Sequence, residues 1–382
     1  MKSQLAIALM LTSFAAAQQS RHKVDINTET PEGQALQAIG QEEDATKKLA
    51  LLEDFAGKHA QNPNLPWVLG QMHGIYAKTQ QHDKVFGVAE KLLAVNGADS
   101  EIAYAGLQSA VAKQDNDLIV KWANITNESA KKAVKLPKPE DEDEEPRWKH
   151  AVDFGQQVQK RCEYEVYTAA LRATDAAQKL KMMDALKALN PQSEYAAQLD
   201  EQYFVAYRAT NANDKAMEVA EKLAGANKAN EDMLLLLANN AFEKKDADNT
   251  IKWATATVEL LKTKSAPQGM GAPEDWEKKK NTISGIALWM VGMTHASKSN
   301  HPQTDAVLRQ AVPLIQGNDT LTSHALFQLG LANHRMGEKG GNVKLIQEAY
   351  TFFRQCSAVK GPNQGAAAKN ATVLRGQYRG LK

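Results

Sequence analysis

The stretch that decides the fold is DKVFGVAEKLLAVNGADSEIAYAGLQSAVAKQDNDLIVKWA, residues 83–123, because it occurs a second time in the chain. The second copy, DKAMEVAEKLAGANKANEDMLLLLANNAFEKKDADNTIKWA, occupies residues 214–254, which is 131 positions later. The two stretches align without a gap and agree at 16 of 41 positions, whereas unrelated sequences would agree at about two or three. The chain therefore contains an internal duplication.

A shorter period of about 34 residues lies inside the duplicated unit, where Tyr76 corresponds to Ala110 and Val85 to Ile119. Across residues 83–95 the apolar side chains recur three or four positions apart, which is the spacing of one face of an α-helix. Polar turn residues separate each helical stretch from the next. Each block of this length is therefore predicted to form two amphipathic helices, and no stretch predicts a strand.

Helix pairs that repeat with this period resemble the tetratricopeptide repeat (TPR) family. The best matches to its first-helix pattern are Leu326-x-x-Leu329-Gly330 and Leu288-x-x-Val291-Gly292. Ala216 and Ala349 suit the small residue of a second helix. The resemblance implies an all-α fold, a right-handed superhelical solenoid of antiparallel helix pairs with about seven or eight units.

The repeats and the segments between them predict eight parts of the chain. A signal peptide at 1–17 and a flexible segment at 18–32 precede the repeats. Three blocks of TPR-like repeats follow at 33–136, 148–264 and 276–362, the last a diverged copy, with linkers at 137–147 and 265–275. Residues 363–382 are predicted to form a capping helix, because the end of a repeat stack must be covered.

The first seventeen residues have the pattern of a secretory signal peptide. Met1-Lys2 supplies one positive charge, an apolar run follows, and Ala15-Ala16-Ala17 ends it, so cleavage is expected after Ala17. The apolar run is shorter than the roughly 20 residues that span a bilayer. We therefore expect an exported protein of the periplasm or cell envelope, or a secreted one, with no integral membrane segment after signal removal.

Charge and motifs narrow the function further. The chain has 46 Lys and Arg against 45 Asp and Glu, so it is not expected to bind nucleic acid through bulk charge. The sequence carries none of the familiar catalytic, nucleotide-binding or metal-binding motifs. It therefore predicts no enzyme, no cofactor and no metal site. The acidic run 140–145 is interpreted as a solvated linker, with a docking strip for a basic partner as the alternative.

Two pairs of residues carry predictions about packing. Cys162 and Cys356 are expected to be separate buried thiols rather than a disulfide, because the repeat architecture places them far apart. Trp122 and Trp253 occupy equivalent positions in the two copies and are expected to pack in the core.

In the family that this chain resembles, ligands lie along a groove lined by first helices. The resemblance therefore implies a protein or peptide partner, and the candidate groove residues are Tyr104, Gln108, Glu201, Arg208, Asn239, His324, Phe327, His334 and Arg335. Two alternatives stay open. One is an enzyme with a motif-less site in the groove, for example with Glu201 and Glu231 as carboxylates on facing helices. The other is a self-assembling structural array, and the oligomeric state is not fixed by the sequence.

Overall fold

A computed structural model of the chain describes residue 24 and residues 26–267 and 272–378. The signal peptide predicted at 1–17, with its cleavage site after Ala17, lies outside these residues. Every regular element of the described part is helical and none is a strand, so the all-α prediction is confirmed. Within the same residues, no helix combines the length and the apolar character that a membrane span requires.

The described residues divide into two compact units, one up to residue 206 and the other from residue 207 onward. The helices of the first unit are α1 (Pro31–Gln41), α2 (Ala45–Lys58), α3 (Leu65–Lys78), α4 (His82–Val95), α5 (Ser100–Lys113), α6 (Asn116–Val134), α7 (Glu145–Arg172) and α8 (Ala176–Leu189). A short 3-10 turn, Ala196–Gln198, follows α8, and the boundary between the units falls within α9 (Asp200–Ala209).

The second unit continues with the same kind of element. Its helices are α10 (Asn213–Gly225), α11 (Glu231–Glu243), α12 (Ala247–Thr263), α13 (Pro273–Ser297), α14 (His301–Ala311), α15 (Asp319–Gly340), α16 (Val343–Ala358) and α17 (Gln364–Gln377). A 3-10 turn, Val312–Leu314, separates α14 from α15.

Odd-numbered helices are the first members of the pairs and even-numbered helices are the second members. Helices α5 and α6, for example, pack against each other across a short turn, as do α13 and α14, and α15 and α16. First helices also contact one another, α5 with α7 in the first unit, and α11 with α13 and α13 with α15 in the second. We call the surfaces of these contacting helices the first-helix face of each unit.

The internal duplication is visible in the helix boundaries. Helices α4, α5 and α6 begin at residues 82, 100 and 116, and α10, α11 and α12 begin 131 positions later, at 213, 231 and 247. The turn after α5 has Gln114 in the left-handed conformation (φ 54°), and its equivalent Lys245 has φ 59°. Both copies of the sequence thus fold into the same three helices.

Trp122 of α6 is buried completely, as predicted, because the facing helix provides a space for its ring. That space is at Gly106 of α5, where an added Cβ would lie 2.2 Å from Cε3 of Trp122. The indole also stacks on Phe86, with ring centroids 5.4 Å apart. Gly292 of α13 and Gly330 of α15 likewise leave space for a neighbouring side chain, because an added Cβ would overlap Leu308 and Phe353, respectively.

Trp253 of α12 is only partly buried, so the prediction that it is a core residue was too simple. The position equivalent to Gly106 holds Leu237, whose own side chain is buried. A leucine there leaves no room for an indole, since close-packed interiors hold few voids of that size. The exposed side of the Trp253 ring is instead covered by the ammonium of Lys252, 4.0 Å from the ring centroid.

Second helices of the first unit are joined by ion pairs between neighbours. Glu53 of α2 pairs with Lys84 of α4 (2.8 Å), and Glu90 of α4 pairs with Lys121 of α6 (2.7 Å). Asp117 of α6 continues the series with a lysine of α8. Because these pairs are largely solvent-exposed, each contributes at most about 1 kcal/mol to the stability of folding.

Several helices depart from the repeat length. Helix α7 has 28 residues and begins at Glu145, the last residue of the acidic run, whose other members are mostly exposed. Helix α15 runs on to Gly340, so residues 337–340 are helical, and Gly341, with φ 61°, caps its end. Helix α17 covers the end of the second unit with Ala367, Ala371 and Leu374 buried.

Candidate interaction surfaces on the first helices

All nine candidate groove residues lie on odd-numbered helices, as the family pattern implies. Tyr104 and Gln108 are on α5, Glu201 and Arg208 on α9, Asn239 on α11, and His324, Phe327, His334 and Arg335 on α15. Their exposure differs. Gln108, Glu201, Arg208, Asn239 and Arg335 are exposed, while Tyr104, His324, Phe327 and His334 are half-buried.

In the first unit, Tyr104 belongs to a cluster of rings between α5 and α7. Its ring lies 6.0 Å from that of Phe154 in an edge-on arrangement, and His150 stacks on Phe154 at 6.3 Å. The His150 imidazole also contacts the carboxylate of Glu101 at 2.8 Å, which ties α7 to α5. A half-buried tyrosine beside polar groups can contact a partner both by its ring and by its hydroxyl.

Arg161 of α7 lies next to Tyr104 and connects it with a second group of rings. Its guanidinium forms an ion pair with the buried carboxylate of Glu165 at 2.8 Å and lies 5.0 Å from the ring centroid of Tyr164. Burial alone would lower the pKa of Arg161, but the neighbouring Tyr104 and Glu165 raise it. Burial raises the pKa of Tyr104, partly against the effect of Arg161. Both groups therefore keep their ordinary charge states near neutral pH.

The second group consists of Tyr164, Tyr167 and Tyr195, which we call the tyrosine cluster. The rings of Tyr167 and Tyr195 stack at 5.1 Å, and those of Tyr164 and Tyr195 meet edge-on at 6.0 Å. The Tyr167 hydroxyl contacts Oε1 of Gln198 at 3.3 Å. Sequence reasoning missed this cluster, although the spacing of Tyr164 and Tyr167 places both on one side of a helix. Tyr195 comes from the irregular segment before α9, which no periodicity could place.

In the second unit, half-buried side chains form a row across the first helices. Phe242 of α11 contacts Trp289 of α13 (5.3 Å between centroids), and Trp289 contacts His324 of α15 (6.3 Å). Nδ1 of His324 is hydrogen-bonded to the side-chain amide of Asn363, the residue before α17. We call Phe242, Trp289 and His324 the aromatic row. His324 was predicted, whereas Phe242, Trp289 and Asn363 were not.

The other candidate residues of α11 and α15 do not join the aromatic row. Phe327 packs edge-on against Phe353 of α16 and so contributes to the core beneath the face. Arg335 lies 3.4 Å from Glu338, and His334 lies 3.5 Å from the same carboxylate. The amide of Asn239 donates to Glu243 one turn further along α11. The contacts of Asn239, His334 and Arg335 are each local to one helix, and none of the four residues joins the others in a common site.

The two carboxylates named for a possible enzyme have different surroundings. Glu201 is exposed. Glu231 is buried at the start of α11, where it pairs with Lys264 and with Lys279 (3.2 Å). Burial alone would raise the pKa of Glu231, but the two lysines lower it. Its carboxylate is therefore ionised and paired with two lysines, which makes it poorly suited to act as a base.

The two cysteine thiols of the chain are shielded from solvent. Cys162 and Cys356 are free and buried, which confirms the expectation of two separate thiols. Burial raises the pKa of Cys162 to about 12, with a smaller effect from Glu163, so this thiol stays protonated at neutral pH. In the described part of the chain, no three His, Cys, Asp or Glu residues come together as a metal site.

Comparison with known proteins finds no matching family model and no matching curated protein. Solved structures give matches at low identity. One is the APC/C hetero-tetramer Cut9-Hcn1, with 10% identity, a TM-score of 0.29, and coverage of 92% of this chain and 91% of that chain. Another is yeast Tom70, with 12% identity, a TM-score of 0.24, and coverage of 93% and 78%. The TPR-like description therefore rests on the helix pairs themselves.

Proposed function

We propose that this protein is an exported, non-enzymatic adaptor that binds another protein through the first-helix faces of its units. The observation that carries the proposal is that each unit presents half-exposed aromatic rings on contacting first helices. In the first unit these are Tyr104 and the tyrosine cluster, and in the second unit the aromatic row. Aromatic side chains surrounded by polar groups are the residues that dominate protein interfaces.

The mechanism would be recognition by a fixed surface. The rings are held by their own packing, so little conformational entropy is lost when a partner covers them. Removing such a ring from the centre of an interface costs about 2 kcal/mol or more of binding free energy. Export to the periplasm or cell envelope is part of the proposal and rests on the sequence of residues 1–17.

Two observations bear on the alternative functions. An enzyme needs a reactive group with a suitable pKa, whereas the negative charge of Glu231 is balanced by its ion pairs with Lys264 and Lys279. A self-assembling array would be favoured by the duplication of α4–α6 as α10–α12. Light scattering over a range of protein concentrations distinguishes the array, which would show growing oligomers, from an adaptor of fixed size.

The test is chemical cross-linking in cells that carry a tagged chain, followed by isolation of the envelope fraction and mass spectrometry. The fractionation also tests export, and N-terminal sequencing should begin at Gln18. Two tryptophan variants provide a matched pair, because both rings are half-buried against the same hydrophobic cluster of the second unit. Trp289→Ala removes a ring of a first helix, and Trp253→Ala removes one of a second helix.

We expect one dominant cross-linked partner, retained by Trp253→Ala and reduced at least severalfold by Trp289→Ala. Equal capture by both variants would contradict binding through the first-helix face. Absence of any cross-linked partner in the envelope fraction would contradict the adaptor function itself.

A further inference from the structure

The tyrosine cluster has the geometry of a surface that receives a cation. Three rings lie within 6.0 Å of their neighbours, and Tyr164 is 39% exposed. Tyr164 already has a cation over its ring, because the guanidinium of Arg161 lies 5.0 Å from the ring centroid. Ring faces attract lysine and arginine side chains through their negative quadrupole.

Across residues 160–167 and 190–198, which carry the three rings, the acidic residues Glu163, Glu165 and Glu194 outnumber the basic residues Lys160 and Arg161. Arg161, the cation over the Tyr164 ring, is matched by the buried Glu165 at 2.8 Å. Glu163 and Glu194 lie close enough that their negative charges, after burial, raise the pKa of Tyr195. Neither Glu163 nor Glu194 forms an ion pair with a cationic side chain of the described residues. Glu163 instead accepts a hydrogen bond from the side-chain amide of Asn190.

Two carboxylates without an ion-pair partner, beside the exposed ring of Tyr164, select against an acidic partner, because like charges brought together at an interface cost binding energy. The same carboxylates attract a cation over a range of about a Debye length, and the rings then bind its apolar stem and charged head. An apolar partner would use the rings but would leave Glu163 and Glu194 without a counter-charge.

We propose that the tyrosine cluster docks a basic segment of the partner protein, with a lysine or arginine side chain of that segment lying against Tyr164 and between Glu163 and Glu194. This inference rests on the proposed adaptor function and names the chemistry of the partner at one place on the first-helix face.

The experiment uses the mature chain and a fluorescent oligolysine peptide as the probe, with its fully acetylated form as the uncharged counterpart. The exposed acidic run would also attract oligolysine, so every protein carries a background in which that run is neutral. The background substitutions keep side-chain shape: Glu140→Gln, Asp141→Asn, Glu142→Gln, Asp143→Asn and Glu144→Gln. Fluorescence anisotropy at low salt then measures the affinity of each variant.

Two variants remove the proposed contacts, Tyr164→Ala and Glu194→Gln, and both positions are exposed. Leu171→Ala is the matched control, because Leu171 is 44% exposed two turns further along α7 and is not part of the cluster. We expect each test variant to weaken oligolysine binding about threefold and the double variant about tenfold. Leu171→Ala should leave the affinity unchanged, and the acetylated peptide should bind at least about tenfold more weakly.

Equal affinity for the charged and the acetylated peptide would overturn the inference, as would unchanged oligolysine binding by the double variant. The inference can fail separately from the proposed function. A partner cross-linked in cells that binds Tyr164→Ala with undiminished affinity keeps the adaptor and removes the docking site. Cluster-dependent oligolysine binding without any cellular partner supports the site and counts against the adaptor.

Discussion

A substitution at Gly106 of α5 tests how the first unit buries Trp122. In Gly106→Ala the new methyl group would lie 2.2 Å from Cε3 of Trp122, and also 2.5 Å from Cδ2 and Cζ3. Carbon atoms in contact are normally separated by about 3.5 Å, so the ring or the helix must move by about 1 Å. The ring has little room to do so, because Trp122 is completely buried and stacked on Phe86.

The expected size of the effect combines two opposing terms. Overpacking a tightly filled core costs about 1–3 kcal/mol of folding stability, and a direct overlap with an indole belongs at the upper end. Replacing glycine by alanine within a helix raises the free energy of unfolding by about 0.5–1 kcal/mol. We therefore expect Gly106→Ala to lower the free energy of unfolding by about 2 kcal/mol.

Gly87→Ala supplies the control for helix propensity. Gly87 lies inside α4, and an added Cβ there would meet no atom within 4 Å. Its substitution should raise the free energy of unfolding by about 0.5–1 kcal/mol. Urea unfolding followed by circular dichroism measures both variants. If Gly106→Ala were as stable as Gly87→Ala, the account of how Trp122 is accommodated would be refuted.

Three further predictions concern buried charges and thiols. Glu231→Ala should lower stability by about 2 kcal/mol, because it leaves Lys264 without its ion-pair partner and Lys279 with Asp232 alone. Asp232→Ala, at a largely exposed carboxylate, should cost less than about 1 kcal/mol. The pKa of Glu231 is lowered in the folded chain, so its contribution is fully present above the ordinary value of 4.5 and disappears as the pH falls. The stability gap between the wild type and Glu231→Gln, measured by urea unfolding, should therefore narrow below pH 4.5; a gap independent of pH would contradict this assignment. Cys162 and Cys356 should react with a thiol reagent only after unfolding, because burial raises the pKa of both; rapid labelling of the native chain would contradict their burial.

The sequence was sufficient to predict the helical repeats, because a repeat fixes the element type and the relative positions of equivalent helices. The duplicated stretch predicted that equivalent helices would start at the offset of the two copies, and α4–α6 and α10–α12 do so. Helix length was harder to predict, since α15 simply continues through residues 337–340 despite three nearby glycines. Packing against neighbouring helices there outweighs a local preference of about 1 kcal/mol per glycine.

Equivalent residues in a duplication do not guarantee equivalent environments. Trp122 and Trp253 align, but their burial is decided by Gly106 and Leu237 on the facing helices. Gly106 and Leu237 lie on the helix that precedes each tryptophan's own helix. Their effect on burial can be predicted only when it is known which residues of the two helices face each other. The prediction of a shared core role therefore holds only in part for Trp253, whose ring packs against the hydrophobic cluster of the second unit but is not fully buried.

The candidate surfaces were predictable only in part. The family pattern correctly placed Tyr104 and His324 on first helices, where both meet other rings. Their partners Phe154 and Trp289 could not be deduced, because contacts between helices of different pairs depend on how each pair is rotated. The helix α7, which is longer than the repeat period predicts, supplies most of the rings of the first unit's surface.

The central claim, binding of a protein through the first helices, is tested most directly by site-specific photo-cross-linking in cells. A photoreactive residue would replace one exposed side chain at a time, at Gln108 and Asn239 on first helices, and at Glu128 and Glu259 on second helices. We predict that the partner is cross-linked from Gln108 or Asn239 and not from Glu128 or Glu259. Cross-linking confined to the second-helix positions, or equal from all four, would contradict the account.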